Sequence, residues 1–587
     1  MKNAKILVIS VCLILSMLLL CGCPQNNTET TTKPVVGGAL GGIDTGIDDD
    51  DINSDYNESN STKVVFSGSS ASVNGVGASI SGADVRIGAQ GTYVLSGSSS
   101  DGSVIIDSSK SEIKLVLNGL TLTNSDGPAI LVKNAKKVTV TLADGTNNSL
   151  SDGASYTLYE SNSIVDGTIF AKAELVFNGS GKLTVNGNNA HGIVGKDGLT
   201  ITGGSFDVTS KGAGICGKDY LKIANATVNV NAGTDGLKSD NMEDAGLGYI
   251  YIQSGAFVIN SANDAIQAYG IASIEGGTFD ITTTSTLSTA SAKGVKGITG
   301  VSISGGVFEI DAQDDGLHSD GDILVSGGDI SIYSADDGVH ANNTLEITNG
   351  KLIIEESYEG LEATNITISG GNIEVNSSDD GMNASGGNDT ATESTGRPGT
   401  DAFESTAGSI NISGGYIIVR GEGDGIDANG SLNVSGGILL IDGPSRGGNG
   451  AFDYSSSASI TGGIVVALST SDMAQNFSNA TQGSVLVRSS GSFSAGTLMT
   501  ICDENGKVIL AFRSTKSFNG ALFSAPEIEV GKTYTIYQNA TVEGLDENGY
   551  AYNTTQSGGE SCGSVTLDAY ICGQGSQMGG VPGGRPR

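Results

Sequence analysis

The chain has 587 residues, of which 89 are glycine, 64 are Asp or Glu and 30 are Lys or Arg, for a formal net charge of −34. That balance excludes nucleic acid as a partner, because phosphates are held by basic surfaces. The glycines follow no triplet period, which excludes collagen, and the 37% hydrophobic share is enough for a narrow core.

At the start stand Lys2 and Lys5, the apolar run Ile6 to Leu20, and then Leu20-Cys21-Gly22-Cys23. Basic residues, a short apolar stretch and small residues at the cut predict a secretion signal over 1–22 rather than a membrane span. The last four residues read as a lipobox with Cys23 as the lipidated residue, so the expected location is exported and membrane-anchored on the outer surface. An ordinary signal peptide cut elsewhere is the alternative. Residues 23–63, rich in Asn, Thr, Gly and Asp and including Asp48-Asp49-Asp50-Asp51, have little apolar surface and are expected to form a flexible tether.

Between residues 64 and 470 one phrase recurs: Ile/Val-x-Ile-Ser-Gly-Gly, a short apolar run, then Asp-Asp-Gly-apolar-polar-Ala/Ser. At the position before the glycine stand Asp315, Asp337, Glu359, Asp380, Asp401 (followed by Ala402) and Asp424, at steps of 22, 22, 21, 21 and 23. Upstream the column reads His191, Ala213, Asp235, Asp264 and Lys293, at steps of 22, 22, 29 and 29, with 22 more to Asp315. Such a period is the signature of a solenoid. Alternating apolar runs broken by Gly-Gly, Asn-Gly or Asp-Gly read as strand and turn, with no amphipathic helix. A unit this small must stack on its neighbours to bury its apolar face. The predicted fold is therefore all-β, a right-handed parallel β-helix, with glycine supplying positive φ at the corners.

From 471 to 572 the repeat fades into strands such as Val485-Leu486-Val487-Arg488 and Val508-Ile509-Leu510-Ala511-Phe512. These are expected either to cap the solenoid edge or to form a separate small β-domain. The Gly/Pro/Arg-rich residues 573–587 are expected to be disordered. Cys216 and Cys502 read as core residues, whereas Cys562 and Cys572 flank a strand-like segment and are disulfide candidates whose pairing spacing alone leaves open.

In a parallel coil, equivalent residues stack at about 4.7–4.9 Å. Asp314-Asp315 stacked on Asp336-Asp337 gathers four carboxylates, which must splay into water, keep their protons or capture a cation. Calcium takes hard oxygen ligands in irregular geometry and suits such a stack. The expected metal residues are Asp314, Asp315, Asp336 and Asp337, with Asp379, Asp380, Asp235 and Asp264 as further members; the alternative for a single Asp-Gly is a turn former. Two residues beyond each glycine runs a second column: Lys238, Gln267, Lys296, His318, His340, Glu362, Asn383, Glu404 and Asp427. It alternates with apolar residues and is predicted to point outward as a ligand-binding face, with Lys238, Lys296, His318 and His340 as contacts. A transition metal on the two histidines is a further alternative.

The chain resembles secreted, calcium-binding, carbohydrate-binding β-helix proteins that attach to cellulose and polygalacturonate and are similar in structure to pectate lyases. Ile303-Ser304-Gly305-Gly306 followed by Asp314-Asp315-Gly316-Leu317-His318-Ser319 carries the likeness, as does Val325-Ser326-Gly327-Gly328 followed by Asp336-Asp337-Gly338-Val339-His340-Ala341. The resemblance spans about residues 64 to 570 and implies calcium along the coil and a polysaccharide partner. Glu359, Gly423 and the Gly/Thr-rich stretch 386–408 depart from the pattern and place calcium near those coils in question.

The expected function is non-catalytic polysaccharide binding. The enzyme alternative is a calcium-dependent pectate-lyase-like β-elimination with Lys238, Lys293 or Lys296 as the base, and the third is a structural adhesin with a protein partner. The chain has no Trp, so Tyr249, Tyr251, Tyr269, Tyr333 and Tyr358 are the candidate sugar platforms.

Overall fold

Short apolar runs between glycine corners make strands that cannot stand alone, and each pairs with its equivalent one coil away. The computed structural model describes residues 42–156, 164–285, 291–385 and 408–573. The protein is all-β and β-solenoid-like, with one sheet system joining 48 strands of the described residues. One coil shows the plan. Val307–Ala312 pairs in parallel with Asp329–Ser334, while Leu317–Ser319 and Asp322–Val325 both pair in parallel with the longer Val339–Ile347. The register is the sequence step itself: Phe308 meets Ile330, His318 meets His340 and Ile323 meets Leu345. Inward residues then form a continuous core, inside which Phe257, Phe279 and Phe308 stack at 4.7 and 4.4 Å.

Two glycine columns serve different needs. Gly306 and Gly328 take φ of 106° and 98°, the left-handed region that side chains disfavour. The glycine of the Asp-Asp-Gly phrase is required for close approach instead. A Cβ on Gly338 would lie 2.5 Å from Cδ1 of Ile354 and 2.7 Å from the carbonyl oxygen of Gly360 on the next coil.

Parallel stacking ends at Ile464–Ser469, which pairs antiparallel with Phe518–Ser524. A five-stranded sheet of Tyr550–Thr554, Val508–Arg513, Leu498–Cys502, Thr533–Gln538 and Glu560–Thr566 follows, antiparallel throughout. Ile418, Leu440 and Val466, which alternate with core residues and so face away from the solenoid interior, pack against Met499, Leu510 and Phe512 of this unit. Cys502 is buried there and Cys216 is half-buried beside Phe170 and Val194. Cys562 and Cys572 lie in different sheets and are both free thiols.

The expected tether is not a tether from residue 42 onward. Asp44 pairs with Lys222 at 2.8 Å, and its carbonyl accepts from Tyr249 Oη. Asp49–Ile52 forms one helical turn in which Asp51 is buried and paired with Lys137. The Asp51 carbonyl accepts from Asn178 and Thr202, and Lys114 donates to the carbonyls of Asn53 and Asp55. Lysines on the solenoid wall thus hold an acidic segment that has too few apolar residues to pack by itself. Residues 1–41 with Cys23, the stretch 386–407 with Asp401 and Glu404, and residues 574–587 lie outside the described residues.

Gly338→Ala is expected to cost about 1–3 kcal/mol through overpacking. Circular-dichroism melting should show the loss, and hydrogen exchange should place it in the coils next to residue 338. A wild-type melting curve and exchange pattern would remove close approach as the reason for this glycine.

Candidate functional site

The aspartate column is a coil-to-coil staple. Asp315 Oδ1 accepts from the backbone N–H of Asp337 at 3.1 Å, Asp264 Oδ1 from Lys293 at 2.9 Å, Asp380 Oδ1 from Asp424 at 2.5 Å and Asp424 Oδ1 from Gly450 at 2.5 Å. One carboxylate oxygen therefore fixes the next coil, and the other is left for a counter-ion. Asp235, Asp264, Asp315 and Asp337 are buried, so they are not merely solvated turn residues.

The second column does not form the predicted outward face. His318 is 3% and His340 1% exposed, and Asn383 is buried as well; Lys238 and Lys296 are half-buried. The alternation is real, but these side chains turn onto the carboxylates of the neighbouring column. His318 Nδ1 lies 2.7 Å from Asp315 Oδ2 and its Nε2 3.0 Å from Asp320 Oδ1, and its ring stacks on His340 at 5.0 Å. Lys238 pairs with Asp235 at 2.7 Å. As direct ligand contacts, His318 and His340 are thereby excluded, and Lys238 is committed to Asp235.

The two columns carry different charge along the solenoid. In the N-terminal half, lysines are interleaved: Lys238 meets Asp235, and Lys293 Nζ lies 2.5 Å from Asp315 Oδ2 and 3.1 Å from Asp314 Oδ2. Burial would raise the Asp315 carboxyl, but the His318 hydrogen bond and the Lys293 charge hold it below the usual range. Asp336, which completes a cluster with Asp314 and Asp315, is exposed. Past Asp337 the acids continue without lysine. Burial, aided by acidic neighbours, pushes Asp337 and Glu359 up to about 9, Asp380 to about 8, Asp424 to about 7 and Asp427 to about 6. Oxygens of Asp380, Asp424 and Asp427 lie within 4.8 Å of one another. Two basic side chains that reach this part of the solenoid, Arg420 and Lys516, turn to Glu374 and Glu422. Asp379 stands beside Asp380, half-buried.

Sequence reasoning did not select Asp424, Asp427 or Asn383 as site residues, and it read Lys293 as a candidate base rather than a counter-ion. The available signal was the loss of Lys from both columns after Lys296. As bases the lysines are poorly placed. Burial would lower the Lys238 and Lys293 ammonium groups, but their paired aspartates outweigh it and keep both protonated. Of the tyrosines, Tyr249 and Tyr251 are buried, Tyr269 is half-buried, and Tyr333 and Tyr358 are exposed.

Each raised acid binds its proton more tightly folded than unfolded, so without a cation stability is greatest near the ordinary carboxylate range and falls as pH rises through the raised values. In chelator, the melting temperature is expected to fall between about pH 5 and about pH 8. Asp424→Asn keeps the acceptor for Gly450 and should raise the melting temperature at about pH 8 by about 2–4 °C. A flat profile, or a destabilised variant at that pH, contradicts the uncompensated stack.

The chain matches the family described as carbohydrate-binding domain-containing protein over residues 81–338, 320–360 and 339–506. A carbohydrate-binding domain-containing protein of Acetivibrio thermocellus is 38% identical over 215 residues, which cover 36% of this chain and 75% of that relative. The solved structure of the polysaccharide lyase-like protein from C. thermocellum, as its gadolinium derivative, is 29% identical, covers 45% of this chain and 96% of its own, and has a TM-score of 0.38. With most of its solenoid inside the matched range, the chain belongs to the carbohydrate-binding domain-containing protein family.

Proposed function

We propose that this protein is an exported, lipid-anchored, non-catalytic polysaccharide-binding protein, a right-handed parallel β-helix that uses calcium to grip an acidic polymer of the polygalacturonate type. The observation that carries this reading is the convergence of Asp380, Asp424 and Asp427 oxygens in a stretch without lysine partners among the described residues. The donors fit calcium: all are hard oxygens, and Asn383 Oδ1 is buried with no hydrogen-bond partner among the described residues. Asn383 is in register with Asp427 and turns its amide nitrogen to Glu359 on the preceding coil at 2.8 Å, leaving its oxygen for the following coil. The expected cluster of Asp314, Asp315 and Asp336 fits less well, because the Lys293 ammonium already occupies it.

Calcium would supply a positive charge shared between the protein carboxylates and those of a uronate polymer. The chain's part is to align the acids, hold their backbone-facing oxygens to the next coil, and leave the remaining oxygens converging. Protonated Lys238 and Lys293 favour binding over β-elimination. Of the five candidate platform tyrosines, Tyr333 and Tyr358 are the exposed ones and make a small platform for a neutral glucan such as cellulose, so the acidic polymer is the better fit. The anchor belongs to this reading through Leu20-Cys21-Gly22-Cys23, and a mature protein without fatty acid on Cys23 would remove it.

The double variant Asp380→Asn, Asp424→Asn is expected to weaken calcium binding by at least about tenfold in titration calorimetry. It should also lose calcium-dependent retardation in polygalacturonate gels, while Asp314→Asn behaves as wild type. Retention of both properties by the double variant, with circular dichroism unchanged, places the binding face elsewhere.

A further inference from the structure

His340 is set apart from the calcium candidate by position and by chemistry. Its Nε2 lies 2.9 Å from Asn342 Oδ1, an oxygen that accepts and cannot donate, so Nε2 carries the proton. In the neutral ring Nδ1 then bears a lone pair. That nitrogen faces Asp337 Oδ2 at 3.0 Å and Glu362 Oε2 at 2.6 Å. The three ligand atoms lie within 4.8 Å of one another, and such a set repels itself unless a proton on Nδ1 or a metal cation stands among them.

One coil earlier the same arrangement shows what is needed. His318 Nδ1 also lies against its aspartate, Asp315, and there the positive charge is the Lys293 ammonium, 2.5 Å from the same Oδ2. Lys293 reaches Asp315 from the preceding coil. The residue in that place before Asp337 is Asp315 itself, and from the following coil Glu362 comes in register beside His340. Acid therefore replaces lysine while the imidazole and aspartate are kept.

We propose that Asp337, His340 and Glu362 bind a first-row divalent cation of the zinc class through Oδ2, Nδ1 and Oε2. One imidazole and two carboxylates match the donor preferences of such ions and leave a coordination position open, whereas calcium prefers a set made only of oxygens. The Nε2–H bond to Asn342 is the outer contact that orients a metal-bound imidazole. Orientation is fixed further by burial and by the stack of the His340 ring on His318, 9° from parallel. Glu362, 15% exposed, is the least buried member and the side from which an ion enters.

The test uses untagged full-length protein stripped with chelator and dialysed against trace zinc in excess calcium. Retention of a single zinc ion per chain by mass spectrometry is expected, as are visible ligand-field bands when cobalt replaces zinc. Glu362→Gln and His340→Gln should each lower zinc affinity by about 10–100-fold, and Asp380→Asn, Asp424→Asn should leave it unchanged. That last variant separates this site from the calcium reading. If His340→Gln does not fold, Glu362→Gln and the wild-type cobalt spectrum decide. Wild-type protein that keeps no zinc in calcium, cobalt bands without nitrogen ligation, or variants that bind zinc as wild type each overturn the site. In those cases a proton, on His340 or shared between Asp337 and Glu362, replaces the metal.

Discussion

Stacking of identical positions one strand spacing apart is the constraint on which the rest of this structure depends. It makes each residue choice a column, so an apolar residue gains a matching neighbour above and below, as Phe257, Phe279 and Phe308 do. The same rule is costly for charge, because an aspartate chosen once is chosen beside its own repeats. The column tolerates this by giving one carboxylate oxygen to the backbone of the next coil. What remains on each coil is a second carboxylate oxygen that needs a proton or a counter-ion.

Two solutions to that charge occur along one ladder. In the N-terminal half, Lys238 and Lys293 provide ammonium groups from within the chain. Beyond Asp337 the chain provides none, and the acids hold protons or take cations from outside. A lysine-compensated first half thus continues into a second half without lysine partners and without a change of fold. The antiparallel cap closes the last coil, and the acidic strap lies on a lysine-bearing wall.

Much of this was legible in the sequence because the step of 22 residues is the strand register itself: His318 and His340 stack as counted. The staple geometry was not, because it depends on which carboxylate oxygen reaches a backbone N–H. The second column misled because alternation tells which side of a strand a residue takes, not whether its side chain then turns onto the aspartate beside it. Lys293 shows the same limit: it occupies the aspartate column, and only the structure turns its ammonium onto the next coil's Asp315. The strap was hidden because Lys114, Lys137 and Lys222, which hold it, are scattered across the sequence and come together only on the stacked wall.

The central claim is that Asp380 and Asp424, raised by burial and acidic neighbours, keep protons which a cation must displace. Calcium titration at neutral pH in buffers of different ionisation enthalpy measures that displacement directly. The account predicts net proton release on binding, with the largest share from Asp380 and Asp424, and release that vanishes once the pH exceeds their raised values. Calcium binding with no proton release at neutral pH would contradict it.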